Sequence, residues 1–128
     1  MNELITVVEL PSFLKEVGTT ITDLERDILV LFLAQYPERG DEIPRTGGLR
    51  KLRWQSEGKG KRAGLRVIYF FYNRSAPVFL LTVYKKGEQE NLTHDQEKIL
   101  AHIARELKKV LKENSGGLRW LKSNWVKH

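Results

Sequence analysis

The sequence predicts an α+β domain, a small and mostly antiparallel sheet packed on helices in the order β-α-α-β-β-β-α. Three observations predict it. Two capping boxes, Thr22-Asp23-Leu24-Glu25 and Thr93-His94-Asp95-Gln96, mark helix starts. Between the helices they open lie three runs rich in β-branched, aromatic and apolar residues, 49–55, 65–73 and 77–85. The last two runs are separated only by Arg74-Ser75-Ala76, which suits a hairpin and therefore an antiparallel pair.

Residues 3–10, ELITVVEL, read as the first strand, which Pro11 and Ser12 end. A short helical turn over 12–17 stops at Gly18. The first capping box then starts a helix that runs to Tyr36 and stops before Pro37. Its second half, ILVLFLA at 28–34, is apolar nearly all round. One face must pack on the sheet, and the other is covered by the first helix or left for a partner. Residues 37–48, PERGDEIPRTGG, form a turn-rich connection to the three strands. The loop SEGKGKRAG at 56–64 joins the first two of these strands. The last helix spans 94–112, with Ile99, Leu100, Ile103, Leu107, Val110 and Leu111 as its apolar stripe. Residues 1–113 thus read as one domain, and 114–128 as a basic, Trp-containing tail that is mobile, packs on the domain or meets a partner.

The chain has 128 residues, 41% hydrophobic and 30% charged, which suits one domain with a real core. It has no Cys, so disulfides and thiolate chemistry are excluded. His94, His102 and His128 have no metal-ligand spacing, and no carboxylate cluster suggests Mg²⁺, so neither metal nor cofactor is expected. The N-terminus lacks the basic-then-apolar pattern of a signal peptide, and no apolar run reaches membrane-spanning length. A cytoplasmic protein without membrane contact is the expectation.

Charge is unevenly spread. The net charge is +6, yet residues 1–44 carry three basic and nine acidic side chains. Residues 45–66 carry eight basic side chains against the single acid Glu57. A focused cationic field attracts polyanions. Side chains alternate faces along a strand, so Lys51 and Arg53 share one face, about 6.5–7 Å apart. That roughly matches successive phosphates of a stretched single strand. Leu52 and Trp54 share the other face and read as core. Arg66 opens the next strand and can lie beside the pair. Arg50 and the loop cations Lys59, Lys61 and Arg62 add further grip, with Gly58, Gly60 and Gly64 allowing close approach.

Such a surface can bind RNA or cut it. RNA carries its own nucleophile, the 2′-OH. Attack on the adjacent phosphate needs a proton acceptor, charge stabilisation and a proton for the leaving oxygen. A lysine crowded by cations is the kind of group that serves as base, and arginines stabilise the developing charge. Tyr84, beside Lys85 and Lys86, can stack on a base or move a proton. Gly58-Lys59-Gly60 is not a phosphate loop, since the G-K-[ST] ending and following helix are missing. Asn73-Arg74-Ser75 and Asn91-Leu92-Thr93 are glycosylation triplets that mean little in a cytoplasmic protein.

Three blocks in order carry a resemblance: GDEIPRTGGLRKLR (40–53), GKGKRAGLRVIY (58–69) and LLTVYKKGEQENLT (80–93). Together they resemble the RelE/ParE superfamily of bacterial toxins, with the HigB-like branch of RelE as the nearest pattern. The resemblance spans about residues 3–112. It implies a compact β-α-α-β-β-β-α domain and a toxin of a type II toxin–antitoxin pair. Its implied partner is a cognate antitoxin, often one with a helix-turn-helix. For this branch it further implies a ribosome-dependent endoribonuclease, an mRNA interferase that inhibits translation by cutting mRNA in the A site without a metal. The positions that match the family's site are Lys51, Arg53, Arg66 and Tyr84. Arg50, Lys59, Lys61, Arg62, Lys85 and Lys86 then hold RNA. The sequence departs from some relatives in offering no histidine placed for acid or base work, and in its Trp-bearing tail. Two other readings stand beside this one: a ParE-like toxin that poisons gyrase without nuclease chemistry, and a non-catalytic RNA-binding module.

Overall fold

The computed structural model describes residues 3–55 and 64–113. Within them the expected element order holds, with one added strand. β1 (Val7–Glu9) leads into α1 (Pro11–Val17) and α2 (Asp23–Gln35). β2 (Asp41–Glu42), β3 (Leu49–Trp54), β4 (Leu65–Phe71) and β5 (Val78–Lys85) follow, then α3 (His94–Glu113). The five strands form one sheet in the order β1-β5-β4-β3-β2. β1 runs parallel to β5, and every other neighbour is antiparallel.

Both capping boxes are present. Thr22 Oγ1 accepts from the Glu25 amide at 3.1 Å, and Glu25 Oε1 accepts from the Thr22 amide at 3.0 Å. Thr93 and Gln96 repeat the exchange at 3.1 and 2.9 Å. Each box satisfies amides that have no partner inside the helix. The first strand is shorter than expected, because β5 offers β1 a partner only from Val78 to Leu80.

The connection 37–48 is more than a turn. Arg45, Gly47 and Gly48 take positive φ values of 64°, 81° and 124°, which folds the segment back on itself. Thr46 Oγ1 donates to the Ile43 carbonyl at 2.6 Å and accepts from the Leu49 amide at 3.2 Å. Asp41 and Glu42 are thereby delivered to β3, opposite Lys51 and Arg50. Neither acid favours a strand, so turn geometry overrides local preference. A charged, two-residue strand also blunts the sheet edge.

Both sheet faces are covered. α1 and α2 bury Phe13, Val17, Leu29 and Leu33 against Leu52, Val67, Tyr69, Leu80 and Val83. α3 buries Leu100, Ala101, Ala104 and Leu107 against Leu49, Ile68, Phe70, Phe79 and Leu81 on the other face. The sequence reading assigned core to one face of β3, that of Leu52 and Trp54. In the structure Leu49, which shares a face with Lys51 and Arg53, is also fully buried. Ile99 of the expected helical stripe is 62% exposed, while Ala101 and Ala104 supply the close contact. On α2 the apolar excess resolves into a buried face and an open one, with Leu24, Ile28 and Leu31 exposed.

Two buried hydrogen bonds tie residues 37 and 40 to the sheet through Tyr69. Tyr69 Oη donates to the Pro37 carbonyl at 2.8 Å and accepts from the Gly40 amide at 2.8 Å. A Cβ on Gly40 would stand 2.8 Å from that phenol, so glycine is needed there for close approach. Burial pushes the Tyr69 phenol above its usual range, against the opposing pull of the Gly40 bond and the Arg50 charge. The folded state then holds this proton more tightly than the unfolded chain. Its contribution is complete below about pH 10 and is lost as pH rises through the raised folded value. Tyr69→Phe leaves the Gly40 amide unpaired. Urea unfolding at neutral pH should show a loss of about 1–3 kcal/mol. Above about pH 10 the variant should lose less further stability than the wild type.

Candidate active site

Register brings four of the expected site residues together. Arg53 of β3 lies directly opposite Arg66 of β4, and Arg66 lies opposite Tyr84 of β5. Direct partners share a face and stand about 4.5–5.5 Å apart, so the three form a row across the sheet. Lys51, Ile68 and Thr82 form the next row. All lie on the α3 face of the sheet.

A β-bulge makes this alignment. Between Ile68 and Tyr69 the β4–β5 register shifts, leaving Leu81 as the extra residue on β5. Without the shift Tyr84 would turn to the α1–α2 face, since alternation has period two. The hydroxyl of Ser12 in α1 donates to the Leu81 carbonyl and satisfies the bulge. Nothing in the linear pattern marks this irregularity.

Arg53 and Arg66 are like charges set opposite one another, which by itself destabilises a strand pair. Among the described residues no acid pairs with either; the ion pairs there are Arg26–Glu9 and Arg50–Glu42. Among the described residues Arg66 Nη1 donates to the neighbouring Leu65 carbonyl, at 3.3 Å. Arg53 is exposed and Arg66 half-buried. Two guanidiniums on one face, neither paired with an acid among the described residues, form a receptor for an anion.

Tyr84 is 8% exposed, so its ring packs in the α3-side core and offers no open face for stacking. Its hydroxyl is buried and has no hydrogen-bond partner among the described residues. Burial raises the phenol above its usual range, Arg66 pulls it down, and Glu90 pushes it up. It therefore keeps its proton through neutral pH and has one hydrogen bond left to donate. Lys51 Nζ donates to Asn91 Oδ1 at 3.0 Å. Sequence reasoning did not single out Asn91, which stood only inside a glycosylation triplet and a family block.

The remaining expected RNA contacts are dispersed. Arg50 points to the opposite face of β3. Its guanidinium donates to the carbonyls of Glu38 and Gly40 at 3.1 and 2.7 Å and to Glu42 at 3.2 Å. Lys85 lies opposite Leu65 and alternates to the α1–α2 face. Lys86 is exposed in the turn after β5, with its amide donating to the Gly64 carbonyl at 2.9 Å. Lys59, Lys61 and Arg62 lie outside the described residues, as does the tail 114–128.

A cleft of about 530 Å³ opens beside the row, bounded by Lys15, Thr82, Tyr84, Lys85, Gln96 and Ile99 among others. Among the described residues no three His, Cys, Asp or Glu side chains form a metal-holding group. No helix there is long and apolar enough to cross a membrane.

Comparison with known proteins gives a family match. Residues 42–121 match the family described as the RelE toxin of the RelE/RelB toxin–antitoxin system. This stretch holds β3, β4, β5, α3 and the whole arginine row. Among solved structures, the chain is similar to an alanine double mutant of the E. coli toxin RelE in the free state. That match has 18% identity and a TM-score of 0.49, and covers 69% of this chain and 90% of the other.

Proposed function

The chain belongs to the RelE toxin family, and from that premise we propose that it is a ribosome-dependent endoribonuclease of the HigB-like branch. It cuts mRNA in the ribosomal A site, stops translation, and is held in check by a cognate antitoxin carrying a helix-turn-helix. The observation that carries the reading is the opposed Arg53–Arg66 pair, without an acid partner among the described residues, beside Lys51 and Tyr84.

In this reading Lys51 takes the proton of the 2′-OH as general base. The 2′-oxygen attacks the adjacent phosphorus in line, and the bond from phosphorus to the 5′-oxygen breaks. Tyr84 gives its proton to that leaving oxygen once the bound strand reaches its hydroxyl, which is buried in the RNA-free protein. The products are a 2′,3′-cyclic phosphate and a 5′-hydroxyl end. Arg53 and Arg66 stabilise the charge that grows on the phosphoryl oxygens, so the chemistry needs no metal. Lys59, Lys61, Arg62 and Lys86 hold flanking phosphates, Lys85 does so only where the strand reaches the α1–α2 face, and the cleft beside Tyr84 is large enough for a flanking nucleoside. Arg50, tied to the 38–42 segment, holds RNA only where the strand reaches the opposite face.

The test is a cell-free translation reaction with the purified protein, followed by primer extension along a reporter mRNA. Cuts within codons that vanish when ribosomes are left out are the expected result. Intact mRNA with normal translation would overturn the reading. Gyrase-dependent DNA damage would instead identify a ParE-like activity.

A further inference from the structure

We propose that Asn91 is a positioning residue that aims Lys51 at the reacting 2′-OH. The inference rests on the reading of Lys51 as general base and extends it to a residue in the loop between β5 and α3.

The geometry is specific. Lys51 projects from β3, and Asn91 lies forty residues later, yet Nζ meets Oδ1 at 3.0 Å. The loop that carries Asn91 is itself held. Gln89 Nε2 donates to the Asn91 carbonyl at 2.8 Å and to Gln96 Oε1 at 3.1 Å. Gln96 Oε1 also accepts from the Thr93 amide as part of the α3 capping box. The Lys51 amine is thus fixed through Asn91 and Gln89 to the start of a 20-residue helix. A free lysine has four rotatable bonds, and holding its nitrogen removes much of the cost of orienting it for proton transfer.

The choice of acceptor matters chemically. A base must present a lone pair. A neutral carboxamide takes one N–H without the strong preference for ammonium that a carboxylate has. An acid lies near enough to show the contrast. Asp41 stands directly opposite Lys51 on β2, yet the ammonium hydrogen bond goes to Asn91. The other charged or titratable groups around Lys51 are Arg53 on its own strand, Arg66 and Tyr84 in the next row, and Glu90 in the loop. The first turn of α3, which follows the loop that holds Asn91, carries His94, Asp95 and Glu97.

The experiment is single-turnover cleavage of mRNA on programmed ribosomes across a pH series, using wild type, Asn91→Asp, Asn91→Ala and Lys51→Ala. Asn91→Asp should move the acid limb of the rate profile upward by about one pH unit or more and recover at high pH. Asn91→Ala should lose roughly tenfold or more at every pH, because orientation is lost and pH does not restore it. Unchanged rates and profiles in both Asn91 variants, with wild type active and Lys51→Ala inactive, would overturn the positioning role alone. Equal losses in both variants at all pH values would overturn it as well, and would mark Asn91 as a support of the loop. An inactive wild type, or an active Lys51→Ala, would instead strike the underlying reading. Thermal melts of the variants separate these outcomes from misfolding.

Discussion

Replacing Arg66 with alanine should abolish growth arrest and lower ribosome-dependent cleavage by about 10²–10³-fold, the usual cost of removing one preorganised transition-state donor. The fold should survive. Among the described residues Arg66 makes no ion pair, and its side chain donates to the adjacent Leu65 carbonyl alone. Relief of the opposed Arg53–Arg66 charges offsets part of any lost packing, so the melting transition should move little. Arg53→Ala and Lys51→Ala should behave alike. Arg66→Lys should keep RNA binding better than cleavage, because it keeps the charge and loses the bidentate fork. Wild-type growth arrest by all three alanine variants would remove the site from this row.

Phe79→Ala should cost about 3–5 kcal/mol. Phe79 is fully buried near the start of β5, with its ring 6.3 Å from that of Phe70 and its backbone paired to both β1 and β4. Domains of this kind hold only about 5–15 kcal/mol in total. The variant should therefore show a large drop in urea midpoint and poor recovery as soluble protein. Leu24→Ala, at a side chain 69% exposed on α2, should change stability by less than about 0.5 kcal/mol. A Phe79→Ala midpoint near that of the wild type would mean that the α3-side core does not carry the fold.

Much of this architecture was legible locally. Thr22 and Thr93 open their helices with partners three residues on, and such caps depend only on neighbours in the chain. The three long strands announce themselves by composition, and the short β4–β5 connection dictates antiparallel pairing. β2 was not legible, because Asp41 and Glu42 have no strand preference and are placed by the turn at 43–48. The second buried face of β3 was also hidden. Leu49, Lys51 and Arg53 share a face, and only the length and position of α3 decide which of them it covers.

The site divides in the same way. Residue type and alternation placed Lys51 with Arg53, and the basic excess over 45–66 pointed to a polyanion, because charge and pleat are properties of the chain itself. Which residues meet across strands is a question of register. The bulge at Leu81 set Tyr84 beside Arg66, turned Lys85 away, and was stabilised by Ser12 from a distant helix. Arg50, one residue from Lys51, went to the other face and into bonds with the 38–42 segment. Asn91 reached Lys51 only because the β5–α3 loop folds back over the sheet. Long-range partners are chosen by packing and register, and neither is written in the spacing of residues along one strand.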